Sequence, residues 1–372
     1  MSVDENNGVN HDDAIERVDT GRAWSDFCEL LRDAGAILQR DDLGLDTFDR
    51  AEGLRYLARL TQNGLSSFLE NPGPRHPQLR ALPEHCGFGL DNPDNIYSSA
   101  GINPALDYRI RGNRGTISYL SLAAQNQNYA RRDRITGGAG HLDHHDLDIA
   151  QDGSLEVVAS QREQPGNWLR LAPDSSMILV RQTFADRALE VAANLRIECV
   201  GVTDAPGPLE PALVPDQLLG AAMYAIGASA WFADWVAPWR AEPNRLHFPD
   251  PEHHRLVGGD PNIVFQLGYW ALAPGEALVV EATPPRCDYW NFQLGNIWAE
   301  CLDKRRTISR NIASTTSEPD GSFRLVVAHA DPGHPNWIDT CGHRHGIMGL
   351  RWVRADTHPP ATTRVVPLAS LA

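Results

Sequence analysis

Apolar residues recur at helical spacing through the first part of the chain. The segment "AWSDFCELLRDAGAILQR" aligns Trp24, Phe27, Leu31 and Ile37. A second, "TFDRAEGLRYLARLTQNGLSSFLEN", aligns Phe48, Leu54, Leu57, Leu60, Leu65, Phe68 and Leu69 before Asn71 and Pro72 stop it. Thr47 is placed to cap this helix, with Arg50 where a capping box would carry Glu. Each helix has one apolar stripe, so the two must pack together or cover a sheet.

From about Asp107 the period shortens to that of strands. "TISYLSL", "SLEVVAS", "SSMILVRQTF" and "LRIECVG" alternate or run apolar, with turns at "NRG", "QDGS" and "APDSS" and a short helix expected at "DRALEVAAN". "GVTDAPGPLEPALVP" then leads into the apolar stretch Leu218 to Trp239, after which "NIVFQLGYWAL", "GEALVVEATPP", "YWNFQLGNIW", "RTISRNI", "GSFRLVVAHAD", "GIMGLRWVRA" and "TTRVVPL" read as strands. Helices do not alternate with these strands, so the sheets are expected to be antiparallel. The pattern predicts a mainly β protein: an antiparallel jelly-roll-like sandwich with N-terminal helices and an inserted apolar helix. The expected divisions are a mobile acidic leader at 1–20, a helical region at 21–95, and a β-rich region at 96–372 with its helix near 215–239. No internal repeat stands out strongly enough to divide the chain into duplicated domains.

Composition narrows the partners. A hydrophobic fraction of 42% supports a globular core, and a formal charge of -15 surrounds the protein with a negative field that disfavours nucleic acid. "MSVDENNGVNHDD" has neither the positive start nor the apolar run of a signal peptide, so a cytoplasmic location is expected. The six cysteines, Cys28, Cys86, Cys199, Cys287, Cys301 and Cys341, show no CxxC spacing and no disulfide-scaffold density. Leu218 to Trp239 carries no charge before Asp234, yet its many small residues suit a buried helix better than a membrane span; peripheral membrane contact is the alternative. A small-molecule ligand is the expected partner, and a homo-oligomer is compatible with the composition.

Two regions, "YSSAGINPALDYRIRGNRGTISYLS" and "YWNFQLGNIWAECLD" followed by "DPGHPNWIDTCGHRHGIMGLRW", resemble a bacterial family catalogued as a domain of unknown function, number twelve-fourteen, over roughly the last two thirds of the chain. The resemblance implies a β-rich sandwich. Many members of that family carry another β module in front. This chain starts with helices instead, and the resemblance brings no catalytic assignment.

Candidate chemistry concentrates near the end of the chain. In "GSFRLVVAHAD" His329 closes an apolar strand face, and "DPGHPNWIDTCGHRHG" adds His334, Asp339, His343 and His345. A His oriented by Asp339 or Asp331 suits acid/base work, because imidazole titrates near neutral pH. His343 and His345, two apart, would share one side of an extended segment and offer a divalent metal two ligands. Alternatively Asp331, Asn336 and Asp339 satisfy loop N–H groups while Trp337 closes the sheet end. "CDYWNFQLGNIWAECLDKRR" sets Tyr289, Asn291 and Gln293 on one face, as a ligand-binding row or a solvent-exposed one, and offers Glu300 either as a carboxylate pair with Asp303 or as an ion-pair partner of Arg305 or Arg306. Arg109 and Arg111 in "YRIRGNRG" make the strongest anion-recognition candidate, the alternative being solvated Arg paired with nearby Asp. "GGAGHLDHHDLD" gathers His141, His144 and His145 beside three Asp, either as metal ligands or as a mobile edge. Trp231, Trp235 and Trp239 recur every four residues, as a packing stripe or as a hydrophobic wall for a terpenoid- or steroid-sized ligand.

There is no GxSxG elbow, Walker loop, dinucleotide fingerprint or HExxH pair. The leading expectation is a cofactor-independent hydrolase or lyase acting on a small organic substrate, with His329, His334, Asp339, His343 and Glu300 as acid/base groups. Arg109, Arg111, Tyr289, Asn291, Gln293, Trp337 and Trp231 are then its substrate-binding residues. The alternatives are a non-catalytic binding protein for a carbohydrate or a terpenoid- or steroid-like molecule, and a mononuclear metal-dependent enzyme.

Overall fold

The computed structural model describes residues 11–71, 73–84, 87–126, 139–250 and 259–371. Residues 1–10 of the expected leader and Cys86 lie outside them. Helix α1 (His11–Asp19) is followed by α2 (Arg22–Ala34) and α3 (Thr47–Phe68). The α3 cap is Asp46, not Thr47. Its carboxylate accepts from Asp49 N at 2.9 Å and the Asp49 carboxylate accepts from Asp46 N at 3.1 Å. An Asp can replace the usual Glu of a capping box because the geometry needs only a carboxylate at each end.

The chain is a mixed α/β protein with several sheets, and β pairing sorts the strands into two sandwiches where the pattern of the sequence suggests one. The first contains β1 (Arg80–Ala81), β2 (Asn95–Gly101), β3 (Tyr108–Asn113), β4 (Tyr119–Gln125), β5 (Gly140–Asp143), β6 (Ser154–Ser160), β7 (Trp168–Arg170), β8 (Met177–Thr183) and β9 (Asn194–Cys199). Its sheets run β1-β2-β8-β4-β5 and β7-β6-β3-β9. The "DRALEVAAN" segment between β8 and β9 is turn and extended chain, not helix. Helix α4 (Val214–Val236) crosses to the second sandwich. There follow β10 (Ile263–Ala271), β11 (Glu276–Ala282), β12 (Tyr289–Leu294), β13 (Ser309–Asn311), β14 (Phe323–Ala328), β15 (Trp337–Asp339), β16 (His345–Val353) and β17 (Thr362–Pro367), in sheets β10-β16-β12-β13 and β15-β14-β11-β17.

Adding eight to the strand numbers of the first sandwich, its edge strand β1 aside, reproduces the order of the second. The fold is therefore an internal duplication. Side chains repeat too: "DGSLEVVAS" and "DGSFRLVVA" form β6 and β14 with their turns, and each is paired in parallel by an Asn-Trp segment, Val158 opposite Trp168 and Val326 opposite Trp337. Asn167 and Asn336 each hold two backbone carbonyls, and the indoles of Trp168 and Trp337 donate to Ser160 O and Ala328 O. The repeat is hard to see in the sequence because what recurs is a sparse set of turn and plug residues, while the apolar positions between them vary freely.

Each sandwich has its own core: Ile110, Leu122, Val157 and Val180 in the first, Trp290, Phe292, Leu325 and Trp352 in the second. Period-two alternation sends the opposite faces of two sheets outward. Those of β2, β4 and β8 turn towards those of β10, β12 and β16, with Tyr119, Ile263, Tyr289 and Val353 packed between them. Helices α3 and α4 cover the β10 and β16 face, burying Tyr56, Leu60, Ala228 and Phe232 with Leu267 and Ile347. No described helix is long and apolar enough to cross a membrane.

Candidate functional site

The junction of the sandwiches is strongly polar. From the first, Tyr119 and Ser121 donate to the Asp260 carboxylate at 3.0 and 2.7 Å, and Asn262 donates to Asp143 at 2.7 Å. The mirrored contacts come from the second: Tyr289 donates to Asp94 at 2.5 Å, Asn291 to Asn92 at 2.9 Å, and Asn311 to Asp94 at 2.9 Å. By strand register Tyr119 corresponds to Tyr289 and Ser121 to Asn291. Arg354 grips Asp143 through two nitrogens at 2.6 and 2.7 Å. Burial alone would raise Asp260, but His141, whose Nε2 lies 3.0 Å away, and the charge of Arg181 hold its pKa well below the ordinary carboxylate range.

A cavity of about 610 Å³ opens between α3, the stretch bearing Glu84, Gly87 and Asp91, and the loop after β12, and receives Glu300, Arg59, Lys304, Arg306 and His343. Asn296 builds this loop: its side-chain oxygen accepts from Trp298 N and Glu300 N, and its amide donates to Glu300 Oε2 at 3.1 Å. Ala299 completes the turn at φ 57°, the left-handed region. Glu300 is 2% exposed and accepts from Arg59 at 2.9 Å. Burial outweighs that ion pair and pushes its pKa up to about 7.

His343 is 6% exposed and meets the ring of Phe48 edge-on at 4.8 Å. Its Nδ1 lies 3.1 Å from Thr340 O. A carbonyl only accepts, so Nδ1 carries the proton and Nε2 keeps its lone pair. That Nε2 has no hydrogen-bond partner among the described residues, and burial holds the imidazole's pKa below its ordinary value. Its orienting group is thus Thr340, not Asp339 or Asp331. Asp339 is engaged by Arg306 at 2.6 Å and by Cys341 N at 2.8 Å, and Asp331 closes its own turn by accepting from Gly333 N.

The other sequence candidates separate. Glu300 does not pair with Asp303, which is tied to Arg305 at 2.7 Å. His329 is fixed between Thr340 Oγ1 at 2.8 Å and Leu272 O at 3.2 Å, and His334 accepts from Asn336 N at 3.1 Å within its loop. Neither lines the two cavities described here. Trp337 is a sheet-end plug whose counterpart Trp168 does the same work in the first sandwich. Arg109 and Arg111 form a ladder with Glu156 and Glu198 on β3 and its neighbours, including Arg109 to Glu156 at 3.3 Å, so carboxylates of the chain already meet their charge. His345 sits between Tyr269 OH at 2.6 Å and Asp49 at 3.4 Å, away from any shared ligand geometry with His343.

Among the described residues the group able to hold a metal is instead His144, His145 and Asp288, whose ligand atoms lie within 4.8 Å of one another. His145 Nε2 is 2.6 Å from the Asp288 carboxylate. The sequence showed the two His, but Asp288 comes from the other sandwich.

A second cavity, of about 240 Å³, lies where the two outward sheet faces meet α4. Phe88, Tyr224, Phe232, Trp235, Leu179 and Phe265 make it largely apolar. From the stripe on α4 it is Trp235 that lines the space, while Trp231 packs against the helical core. Tyr289, Asn291 and Gln293 are buried. Gln293 and Asn291 present their oxygens to the Arg351 guanidinium, which is the residue that reaches the cavity wall. Arg351 was missed because it stands in an apolar run, "GIMGLRWVRA"; its counterpart Arg181 in "SSMILVRQTF" is the signal that exposes it.

No family model matches the sequence, and no curated protein matches it. Among solved structures, an uncharacterized protein from Burkholderia cenocepacia is similar with a TM-score of 0.91 and 40% identity, over 95% of this chain and 99% of that one. A protein from Vibrio parahaemolyticus aligns over 83% of this chain and 96% of that one, with a TM-score of 0.47 and 12% identity. The likeness to the first extends over nearly the whole chain, helices included, and not only over the last two thirds.

Proposed function

This chain belongs to one family with the uncharacterized Burkholderia cenocepacia protein, and we propose that it is a cofactor-independent hydrolase or lyase working in the polar cavity between α3 and the loop after β12. The observation that carries this reading is the pairing of roles around that cavity. Glu300 titrates near neutral pH and can donate a proton, and His343 offers an unpaired Nε2 that can accept one. In hydrolysis, water loses a proton to His343 Nε2 and adds to the substrate while Glu300 protonates the departing oxygen. In elimination, His343 removes a carbon-bound proton and Glu300 again protonates the leaving group. Lys304, Arg55 and Arg306 on the cavity wall are each paired with a carboxylate, Asp91, Glu52 and Asp339, and this mixed-charge lining favours a small polar substrate. The reading takes the protein to work in the cytoplasm.

A panel of aryl esters, glycosides and β-elimination substrates tests the proposal. Turnover should be lost about a hundredfold or more in Glu300→Gln and His343→Gln, with substrate binding retained. Turnover that survives both substitutions overturns it. The second reading, a metal-dependent enzyme, is favoured by His144, His145 and Asp288, a donor set of the kind zinc takes. That version requires stoichiometric metal in the purified protein, lost on His145→Ala.

A further inference from the structure

We infer that the apolar cavity between the two sandwiches is a binding site for a small amphipathic carboxylate, whose acidic head meets Arg351 and whose hydrocarbon body fills the space beneath α4. The inference stands apart from the acid/base reading, since it concerns a different cavity.

The internal duplication supplies the argument. Arg181 sits on β8 between Tyr97 and Ser121, and Arg351 occupies the same register on β16 between Phe265 and Asn291. Both line the cavity. On the Arg181 side, the residue gripped by Tyr119 and Ser121 is Asp260, a carboxylate on which the Arg181 charge acts. On the Arg351 side, the residue gripped by Asn291 in the equivalent place is Asn92, which is neutral. The duplicated design has therefore kept its cation and put a neutral amide where the gripped carboxylate stood, its own carboxylate, Asp94, lying two residues further on at the position of Asn262 in the other half.

The charges of Asp91 and Asp94 act on Arg351 through space, but neither carboxylate hydrogen-bonds it. Arg351 is 3% exposed and donates to three neutral acceptors, Asn291 Oδ1, Gln293 Oε1 and Leu90 O. It makes no ion pair among the described residues. Asp91 is taken by Lys304 at 3.2 Å, and Asp94 by Tyr289 and Asn311. A guanidinium stays charged, and a buried charge with no directly paired counter-charge is costly to keep. Phe265 lies against one face of it, with the guanidinium carbon 4.9 Å from the ring centroid. The Nε–H hydrogen-bonds to none of the described residues, so a carboxylate entering along the apolar wall finds a donor and a charge to neutralise. Phe88, Phe232, Trp235, Leu179 and Leu267 suit an alkyl or aromatic body.

Calorimetric titration of the full chain with decanoate, and with 1-decanol as its neutral counterpart, tests this. Decanoate should bind one per chain and at least tenfold more tightly than decanol. Arg351→Met should weaken decanoate by about ten- to a hundredfold and leave decanol unchanged. Leu179→Trp, which fills the cavity without touching Arg351, should abolish binding of both, and decides the matter if the Arg351 variant does not fold. Equal affinity for the two ligands, absence of decanoate binding, or decanoate binding that survives Leu179→Trp overturns the inference.

Discussion

Replacing Glu300 by Gln should change how stability depends on pH, by an amount the structure sets. The carboxyl is buried and its pKa is about 7 in the fold against an ordinary 4.5. Its folded value lies above its unfolded one, so the native state binds the proton more tightly. The native advantage is complete below pH 4.5 and is lost as pH rises to about 7. Over that window the wild type should lose about 3 kcal/mol that the Gln variant, which cannot ionise, keeps. The Arg59 ion pair is already contained in this figure, because burial raises the pKa in spite of it. Urea unfolding of both proteins at pH 5, 6, 7 and 8 measures the effect. The stability of Glu300→Gln relative to wild type should climb steadily and level off above pH 7. Parallel curves, with a difference constant to within about 0.5 kcal/mol, would refute the assignment of Glu300 as a neutral-range acid.

The remaining expectations concern separate parts of the molecule. His343 is held neutral by burial, so its contribution to stability should be lost as pH falls below about 6.5 through its lowered folded pKa, and His343→Gln should remove that acid-side slope in thermal melts. Asp260→Asn breaks the hub that joins Tyr119, Ser121 and His141 across the sandwiches and should cost about 3 kcal/mol by denaturant unfolding. The wild-type share of Asp260 should disappear as pH falls below 3.8, since its folded pKa is lowered. Gly346→Ala places a Cβ 2.1 Å from the Gly295 carbonyl oxygen, backbone that cannot rotate away, and should cost about 1–3 kcal/mol; a neutral result would show that β16 has room to shift.

Much of the architecture follows from local pattern. The stripes of α2 and α3, the apolar α4 and almost every long strand are legible, because side-chain period and backbone period are the same physical fact. The sequence also singles out Glu300 and His343, and it is the structure that brings the two to one cavity. That acids of the chain would pair with Arg109 or Arg111 is legible as an alternative, but that these are Glu156 and Glu198 is not, since they become partners only when β6 and β9 flank β3.

What a sequence determines by itself is which residues share a face; which face meets which is decided by tertiary packing. Tyr289, Asn291 and Gln293 are plainly one polar row of β12, yet only the apposition of two sandwiches buries that row and turns it from a binding surface into the cradle of Arg351. Asp288 joins His144 and His145 across 143 positions of chain for the same reason. The duplication is the deepest case. Its two copies share strand order and a few turn residues, because those specify the sandwich, while the faces pressed together at the junction have diverged. Asp260 in one half answers to Asn92 in the other, and that difference takes on meaning only once folding sets the halves face to face around one cavity.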